Sequence, residues 1–262
     1  MIKAKKSLGQ NFLIDQNIIK KISKIISIKD KIILEIGPGT GNLTSEILIN
    51  KPKKVYVVEK DENLVLHLKK KFGSNLDIIN KDVLKFDEQL LTSEKLNVFG
   101  NLPYNISTEI LCKWILNLTS NDCWFENLIL MFQKEVAERI ISKFNSKNYG
   151  RLSIISNWKL DIKKIYDIKP SCFYPKPKVQ SSVLIFSPKS NYFQIKDPKN
   201  LEKLTRTFFN HRRKMIKKPF NQIFNGNLDI AKKYNLDLNL RPQNLNFETY
   251  YKLTQELENL GS

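Results

Sequence analysis

The residues best placed to do chemistry stand in one short stretch, GNLPYNIS at residues 100–107, directly after an apolar run. Proline fixes φ and lacks a backbone N–H, so Pro103 marks the end of a central strand rather than its middle. The stretch therefore places the amide of Asn101, the carbonyl of Leu102 and the ring of Tyr104 on a rigid turn at a strand tip.

Such a turn suits the activation of an amino group on an aromatic base. The lone pair of that nitrogen is delocalised into the ring, which makes the amine a poor nucleophile. Neutral oxygens that accept both N–H bonds stabilise the positive charge that develops on the nitrogen during attack. We predict that Asn101 Oδ1 and the Leu102 carbonyl are these acceptors and that Pro103 keeps the carbonyl in place. Tyr104 can then stack on the base. The alternative is a turn that only ends a strand.

A glycine-rich loop, EIGPGTGNL at residues 35–43, follows an earlier apolar run. Gly37, Gly39 and Gly41 let a ligand approach the backbone closely, and the helix that follows offers free N–H groups. The dinucleotide-binding pattern requires a glycine where Asn42 stands, and the Gly-Lys-Ser/Thr of a nucleoside-triphosphate loop is absent. By itself the spacing is explained equally well by a structural turn and by a cofactor loop.

Two carboxylates follow the next two apolar runs, Glu59 after KVYVV and Asp82 after LDIINK. The carboxyl ends of parallel strands meet in one crevice, where Glu59 can accept hydrogen bonds from a ribose diol. Asp82 can accept from an adenine amine, with a helix N-cap as the alternative role. The predicted ligand carries adenosine and needs no pyrophosphate site, which fits S-adenosylmethionine.

The elements that position these residues alternate along the first half of the chain. Helix-like segments separate short apolar runs, which predicts strands buried on both faces of a parallel α/β sheet. Two later segments, 160–169 and 179–188, predict an antiparallel addition at one edge. The remainder is helical, so we predict one domain over 1–187 and a small all-α domain over 188–262. The predicted parallel strands are KIILEI at 31–36, KVYVVE at 54–59, LDIIN at 76–80, LNVFG at 96–100 and NLILMF at 127–132.

The charge of the chain favours a polyanionic partner. The formal net charge is +18 over 262 residues, with 41% hydrophobic residues, and such an excess suits nucleic acid. Taking 204–218 as one helix places Leu204, Phe208 and Met215 on its core side, opposite a cationic stripe. The alternative is a solvated charged face. The candidate RNA-binding residues of this segment are Arg206, Arg212, Arg213, Lys214 and Lys217.

Other function classes have little support in the sequence. Cys112, Cys123 and Cys172 lack metal-ligand spacing and suit reduced thiols of a cytoplasmic protein. The two histidines are too few for a zinc site, and no apolar run approaches the length of a membrane span. We therefore expect a cytoplasmic monomer that binds neither metal nor membrane.

Blocks along nearly the whole chain resemble the ribosomal RNA adenine N6-dimethyltransferases, in which NLPY is a variant of the Asn/Asp-Pro-Pro-Tyr/Phe motif of amino-group methyltransferases. The resemblance implies a Rossmann-like class I methyltransferase sheet, S-adenosylmethionine as methyl donor, and a C-terminal helical domain that binds RNA. The matching blocks are SLGQNFL at 7–13, EIGPGTGNLT at 35–44, GNLPYNIST at 100–108, QKEVAERI at 133–140, YGRLS at 149–153, FYPKPKVQSSV at 173–183, FFNHRRKMIKK at 208–218 and LRPQNLNFETYYKL at 240–253.

The resemblance also implies residue roles. It places Asn11 and Leu13 at the cofactor, together with residues already singled out, Gly37, Glu59, Asp82 and Asn101. From the residues alone, Phe12 and Leu13 are a hydrophobic staple beside a helix. Phe173 is implied as a second aromatic face, with Tyr104, around a base pulled from its stack. The alternative for Phe173 is a core residue.

The resembling family has two broad arms. One modifies two adjacent adenines in the 3′-terminal hairpin loop of small-subunit (16S) rRNA, giving N6,N6-dimethyladenosine, and takes part in ribosome biogenesis. The other modifies one large-subunit (23S) adenine and confers macrolide resistance. Leu102 and the block at 240–253 resemble the first arm. Two further function classes stay open at this point, a non-catalytic assembly factor that binds immature small subunits and a DNA adenine methyltransferase.

Overall fold

The apolar runs of the sequence form the strands of one sheet in the computed structural model, which describes residues 4–118 and 123–260. Five runs predicted as parallel strands and two predicted as an edge addition are all strands, within a few residues of the predicted bounds. The strands are β1 (Phe12–Leu13), β2 (Ile32–Ile36), β3 (Lys54–Val58), β4 (Asp77–Ile79), β5 (Leu96–Gly100), β6 (Phe125–Gln133), β7 (Leu160–Ile168), β8 (Phe173–Tyr174) and β9 (Ser181–Pro188).

Helices connect these strands and make up the C-terminal part. The α-helices are α1 (Gln16–Ser23), α2 (Asn42–Ile49), α3 (Glu62–Phe72), α4 (Ser107–Asn117), α5 (Lys134–Ile140), α6 (Arg151–Lys159), α7 (Pro198–Phe209), α8 (Lys217–Phe224), α9 (Leu228–Lys233) and α10 (Phe247–Leu260). Short 3-10 helices include Lys6–Leu8 and Val83–Lys85. Within the described part of 189–260, every regular element is a helix.

The main sheet has seven strands in the order β4-β3-β2-β5-β6-β9-β7. The first five are parallel neighbours, and β9 runs antiparallel to β6. Residues of the central strands, such as Ile33 on β2 and Val98 on β5, have no exposed surface, because both faces of the sheet are covered. The predicted mostly parallel sheet with an antiparallel edge addition is confirmed.

The strand order reverses beside β2, and this reversal positions the site. The chain proceeds from β2 outward to β3 and β4, and then returns to the other side of β2 as β5. Connections that leave in opposite directions open a crevice at the carboxyl ends of β2 and β5, where open α/β sheets bind ligands. The glycine loop follows β2 and the NLPY turn follows β5, so both border this crevice.

The structure divides into two compact units that interleave along the chain. Among the described residues, the first unit takes 4–111, 123–137 and 162–188, and the second takes 112–118, 138–161 and 189–260. The last change between units falls after Pro188. Two earlier segments of the predicted first domain thus pack in the second unit. The functional division into 1–187 and 188–262 stays a prediction.

The second unit is a helical layer with an aromatic core. Tyr149, Phe208 and Tyr250 have no exposed surface. The Tyr251 hydroxyl of α10 donates to the Ile154 carbonyl of α6 at 2.8 Å. Large rings suit such a core because they bury much apolar area, and the hydroxyls of Tyr250 and Tyr251 are paired whereas the buried Tyr149 hydroxyl has no hydrogen-bond partner within the described part of the chain.

The predicted single helix over 204–218 is wrong, because α7 ends at Phe209 and α8 begins at Lys217. The backbone N–H groups of Ile216 and Lys217 donate to the carbonyls of Leu240 and Leu238, at 2.8 and 3.0 Å, instead of to a preceding helical turn. Met215, expected on the core side, is 56% exposed. A distant segment of chain therefore holds the start of α8, as a separate helix from α7.

None of the helices within the described ranges combines the length and apolar character that crossing a membrane needs. The same described residues contain no group of three or more His, Cys, Asp or Glu side chains able to hold a metal ion. The three cysteines, all among the described residues, form no disulfide; Cys172 is buried, and Cys112 and Cys123 are half-buried.

Candidate active site

A cavity of about 230 Å³ lies at the carboxyl ends of the central strands. It brings together residues from the N-terminal segment, the glycine loop, the ends of β3 and β4, and the NLPY turn. Gly41 and Phe173, which the sequence also proposed, are not among its lining residues. The predicted site residues that line it are Asn11, Leu13, Gly37, Gly39, Glu59, Asp82, Asn101, Leu102, Pro103 and Tyr104.

The glycine loop requires glycine for both backbone conformation and space. Gly39 and Gly41 have φ of +57° and +74°, a region that other residues adopt at a cost. A Cβ on Gly39 would lie 2.7 Å from the Phe12 ring, and one on Gly41 would lie 2.5 Å from the Phe72 ring. The loop therefore packs directly against aromatic rings and turns tightly into α2.

Glu59 is held against this loop at the end of β3. The carboxylate is buried, and its two oxygens accept from the Gly39 N–H at 3.4 Å and the Asp61 N–H at 2.9 Å. Burial raises the pKa of Glu59, and the two N–H donors oppose that shift. The Asn80 side chain also donates to the Glu59 carbonyl at 2.9 Å. The acid is thus in a defined position at the edge of the cavity.

Asp82 has the helix-capping geometry that its alternative interpretation predicts. It is the N-cap of the 3-10 helix Val83–Lys85, and Oδ1 accepts from the Leu84 N–H at 3.0 Å. Oδ2 pairs with the Lys60 ammonium at 2.8 Å, and this interaction is the main reason that the pKa of Asp82 is lowered. Because Asp82 also lines the cavity, capping orients the carboxylate there rather than excluding a binding role.

Asn101 is oriented by a hydrogen bond that identifies the two ends of its amide. Nδ2 donates to the Asn11 carbonyl at 2.7 Å, so the oxygen Oδ1 is the end directed elsewhere. No described residue donates to Asn101 Oδ1 or to the Leu102 carbonyl. The Pro103 carbonyl accepts from the Ile106 N–H at 3.1 Å, which turns the chain into α4. Two neutral acceptors are therefore left available at the tip of β5.

The two predicted aromatic faces are in different surroundings. The Tyr104 hydroxyl lies 2.6 Å from Ser181 Oγ, its ring is half-buried beside the cavity, and burial raises its pKa. Phe173 is 2% exposed and pairs with Leu13 across the β1–β8 ladder. The structure thus brings Tyr104 to the cavity and leaves Phe173 in the core, as its alternative interpretation proposed.

The N-terminal segment reaches the cavity through Asn11 and Leu13. The Leu13 carbonyl accepts from Asn42 Nδ2 at 2.8 Å, at the start of α2. Phe12 and Leu13 are buried beside α1, where a staple was expected. Asn42, which breaks the dinucleotide pattern, therefore ties this segment to the glycine loop.

Sequence reasoning missed several side chains that build the site. Glu35 lines the cavity, and burial raises its pKa from 4.5 to about 7. The Thr44 hydroxyl donates to Glu35 at 2.6 Å. Lys71 Nζ donates to the carbonyls of Thr40 and Gly41 at 3.1 and 3.2 Å. Asp61 was also missed, although a carboxylate directly before a helical run is an N-cap signal.

The five candidate RNA-binding cations all lie in the second unit. Two of them, Arg206 and Arg212, contact other protein groups, and the other three line a groove. Arg206 is largely exposed and lies 3.7 Å from Glu202. Arg212 is half-buried, where Nε donates to Gln243 Oε1 at 3.1 Å and Nη2 donates to the Lys147 carbonyl. Arg213, Lys214 and Lys217 line a groove with a volume of about 900 Å³, which we call the basic groove. Its charged residues are Arg213, Lys214, Lys217, Lys218 and Arg241, with His211 beside them.

The chain is similar to known proteins over nearly its full length. A family model described as ribosomal RNA adenine dimethylase matches residues 1–259. The chain is 62% identical, over 99% of its own length and 98% of the relative, to Ribosomal RNA small subunit methyltransferase A of Pelagibacter ubique (strain HTCC1062). It is 41% identical, over 98% and 95%, to the protein of that name from a Wolbachia strain of Drosophila simulans.

Solved structures agree with this assignment. A crystal structure of a dimethyladenosine transferase from Plasmodium falciparum has a TM-score of 0.81 and 28% identity, and the match covers 95% of this chain and 98% of that one. The 23S rRNA methyltransferase ErmE, with a TM-score of 0.68 and 21% identity over 95% and 100%, shares the fold. With the glycine loop, the strand-end carboxylates and the NLPY turn around one cavity, the chain belongs to the ribosomal RNA adenine dimethylase family.

Proposed function

We propose that this enzyme transfers methyl groups from S-adenosylmethionine to N6 of two adjacent adenines in the 3′-terminal hairpin loop of small-subunit (16S) rRNA, giving N6,N6-dimethyladenosine. The family description supports adenine as the target, and the relatives at 62% and 41% identity carry small-subunit methyltransferase names. ErmE, a large-subunit enzyme, is similar at only 21% identity. The small subunit is therefore the better supported target.

One observation carries the chemistry, namely the two free oxygens at the tip of β5. Asn101 Oδ1 and the Leu102 carbonyl have no donor among the described residues, whereas Asn101 Nδ2 is fixed on Asn11. An adenine amine placed there would donate both of its N–H bonds. The acceptors carry no charge and take no proton, so they stabilise the cationic nitrogen of the transition state by preorganised dipoles. Loss of the proton follows attack and needs no dedicated base in this arrangement.

The lining of the cavity fits S-adenosylmethionine. When bound, this cofactor supplies a methyl group on a positively charged sulfur. We assign the ribose hydroxyls to the Glu59 carboxylate and the adenine amine to Asp82. The missing Cβ of Gly39 makes room for the Phe12 ring, and both residues line the cavity. Asn11, Leu13 and Gly37 also line the cavity. Gly41 does not line it and instead shapes the glycine loop.

Tyr104 is the residue that we propose for stacking on the target base. Withdrawing a base from its stack costs a few kcal/mol, and stacking on an aromatic ring returns roughly 1–3 kcal/mol. The Ser181 contact at 2.6 Å fixes the orientation of the Tyr104 ring. A role for Phe173 as the second face requires its ring to leave the core, where it is 2% exposed.

We propose that residues 188–262 form the RNA-binding domain of a monomeric cytoplasmic enzyme and that the basic groove contacts the RNA backbone. Every charged side chain that lines the groove is cationic. Exposed cations without acidic neighbours attract phosphates and release their counterions. Immature small subunits are the expected partner.

Methyl transfer from labelled S-adenosylmethionine tests this function. The substrates are small-subunit particles, large-subunit particles, naked rRNA and duplex DNA, with mass spectrometry of the labelled RNA. We expect dimethylation of two adjacent adenines in small-subunit particles. Label in large subunits would support the macrolide-resistance alternative, and label in duplex DNA would support a DNA methyltransferase. Tight subunit binding without label would support the non-catalytic assembly factor.

A further inference from the structure

Residues 4–10 supply part of one wall of the cofactor cavity and make few hydrogen bonds to the rest of the described chain. Ser7, Gly9 and Gln10 line the cavity beside Asn11. The carbonyls of Asn11 and Leu13 accept from Asn101 and Asn42. Where the structure describes residues 4–10, their hydrogen bonds to residues beyond Asn11 all go to one acceptor, the carboxylate of Asp61.

Asp61 accepts these bonds in a closed arrangement. Lys5 Nζ donates to Oδ1 at 2.7 Å, and Gln10 Nε2 donates to Oδ2 at 3.0 Å. Gln10 Oε1 in turn accepts from the Lys5 backbone N–H at 2.7 Å. We call Lys5, Gln10 and Asp61 the clasp. Each of its members contacts the other two, so the segment is held in one position across the carboxylate.

The carboxylate of the clasp is sheltered from water, whereas its cation is not. The Asp61 side chain is 2% exposed and that of Lys5 is 44% exposed. Burial by itself would raise the pKa of Asp61, but hydrogen bonds from Lys5, Gln10 and the Asn63 N–H outweigh it and lower the pKa. Charge-assisted hydrogen bonds of this kind are stronger than neutral ones. The clasp is thus unlike an exposed surface ion pair, which contributes little.

Asp61 also forms a hydrogen bond with Glu59, the residue that we assign to the ribose hydroxyls. Its backbone N–H donates to Glu59 Oε1 at 2.9 Å, and its Oδ1 caps α3 by accepting from the Asn63 N–H at 3.1 Å. One residue therefore sets the carboxylate of Glu59 from one side and holds the N-terminal wall of the cavity from the other. Both sets of contacts join residues of this chain to one another.

We propose that Asp61 is a positioning residue for the methyl donor, acting through the clasp on the N-terminal wall and through its N–H on Glu59. The proposal rests on the proposed function, because it assumes that S-adenosylmethionine occupies this cavity. Asp61 is not among the cavity's lining residues, and it acts through the residues that are. Its effect is therefore expected in donor binding more than in the chemical step.

The test measures binding of S-adenosylmethionine by calorimetry, with KM for the donor and kcat measured separately, in Asp61→Asn and Lys5→Met. We expect each variant to weaken donor binding about tenfold, as loss of one charge-assisted hydrogen bond predicts. The KM for the donor rises by a similar factor, and kcat changes by less than about threefold. The double variant loses little more than either single variant, because both remove the same interaction.

The control is Asp197→Asn, which makes the same change at another helix N-cap, one that does not line the cavity. Asp197 caps α7 by accepting from the Lys199 N–H at 2.9 Å, two residues on, as Asp61 does for Asn63. It should leave donor binding unchanged and the melting temperature nearly so, because asparagine caps helices about as well as aspartate. Lys5→Met, at a partly exposed side chain, keeps the test valid if Asp61→Asn folds poorly.

Two results separate the clasp from the proposed function. If the wild-type enzyme does not bind S-adenosylmethionine, the proposed function fails and the clasp with it. If the wild-type enzyme binds and both clasp variants bind equally well, the clasp is overturned and the function stands. Additive effects of Lys5→Met and Asp61→Asn would also overturn it, because they would show two independent contributions.

Discussion

The cavity of the first unit and the basic groove of the second unit handle charge in opposite ways. Around the cavity, Glu59 and Asp61 are buried, and each oxygen of their carboxylates accepts from a fixed donor. In the groove, cations such as Arg213 and Lys217 are exposed. In the function that we propose, the cavity depends on the position of a few atoms, and the groove depends on the number of its charges.

This difference determines which perturbation each region responds to. Exposed charges are screened by salt within about 10 Å at ordinary ionic strength, so binding to the groove is expected to depend on salt. Buried groups are screened much less, and their protonation depends on the local environment. The cavity is expected to respond to geometry and pH instead. A substitution in one region should therefore leave the other region unaffected.

The largest effect is expected from Asn101→Ala in the cavity. Removing one of the two preorganised acceptors is predicted to lower kcat by about 10²–10³-fold, the range measured for comparable transition-state dipoles. RNA binding, which we assign to the groove, should be nearly unchanged. Methyl transfer and subunit binding are measured in parallel, with Asn117→Ala on the exposed end of α4 as the control. Equal loss of both activities would contradict the role of Asn101 as amine acceptor.

Glu35→Gln tests the response of the cavity to protons. Burial raises the pKa of Glu35 from 4.5 to about 7. Between these values the unfolded chain releases the proton while the folded chain keeps it, so the stability of the wild-type protein falls as pH rises. The fall is complete above about pH 7 and is on the order of 3 kcal/mol. Glutamine can still accept from the Thr44 hydroxyl but does not titrate. The pH dependence of stability that Glu35 contributes should therefore disappear in the variant.

The measurement is the free energy of unfolding in urea at a series of pH values. The control is Glu94→Gln, because Glu94 is 56% exposed and pairs with Lys53 at the surface. That variant should change stability little at any pH. If Glu35→Gln keeps the wild-type pH dependence, the carboxyl is not protonated in the folded protein at neutral pH.

Gly39→Ala tests the geometry of the cofactor loop. The left-handed conformation costs a non-glycine residue roughly 1–2 kcal/mol, and the Cβ would lie 2.7 Å from the Phe12 ring. Gly226→Ala is the control, because Gly226 also has a positive φ, +75°, and no described atom within 4 Å of its Cβ position. Both variants should lose stability in thermal unfolding, and Gly39→Ala alone should weaken donor binding. Similar donor binding in both would show that Phe12 yields without cost.

The smallest effect is expected in the groove, from Arg213→Gln and Lys214→Gln. Each lost phosphate contact should reduce the slope of log K against log salt by about 0.7–0.9, with a few-fold loss of affinity. Lys252→Gln is the control, since Lys252 pairs with Glu248 at 2.7 Å outside the groove. Arg212 is left unchanged because it anchors the Lys147 carbonyl. An unchanged salt dependence would remove the groove from the RNA-binding surface, while donor binding should be the same in every variant.

Much of the first unit could be predicted from the sequence because its strands are buried on both faces. Such strands are continuous apolar runs, and the runs ending at Ile36, Val58 and Gly100 were all found as strands. The polar residues after those runs had to meet at one edge, since parallel strands share a direction. Glu59, Asp82 and Asn101 were therefore expected around one cavity from the order of the apolar runs alone, and they line it.

The second unit was less predictable because its boundaries depend on distant partners. The segment 204–218 has helical periodicity throughout, yet the N–H groups of Ile216 and Lys217 bond to Leu240 and Leu238. No local signal marks this exchange. As a result, Arg213 and Lys217 of the predicted cationic stripe line the basic groove, whereas its third member, Arg206, does not.

The sequence by itself determined the class of fold and the family and led to the chemistry that we propose at the tip of β5, because residue type and order limit where apolar runs and their polar ends can lie. Only the tertiary structure decided the partners of those polar groups. It fixed the Asn101 amide on Asn11, buried Glu35 and Phe173, and joined Lys5 to Asp61. Hydrogen bonding and burial depend on distances between residues far apart in the chain, and such distances exist only once the chain has folded.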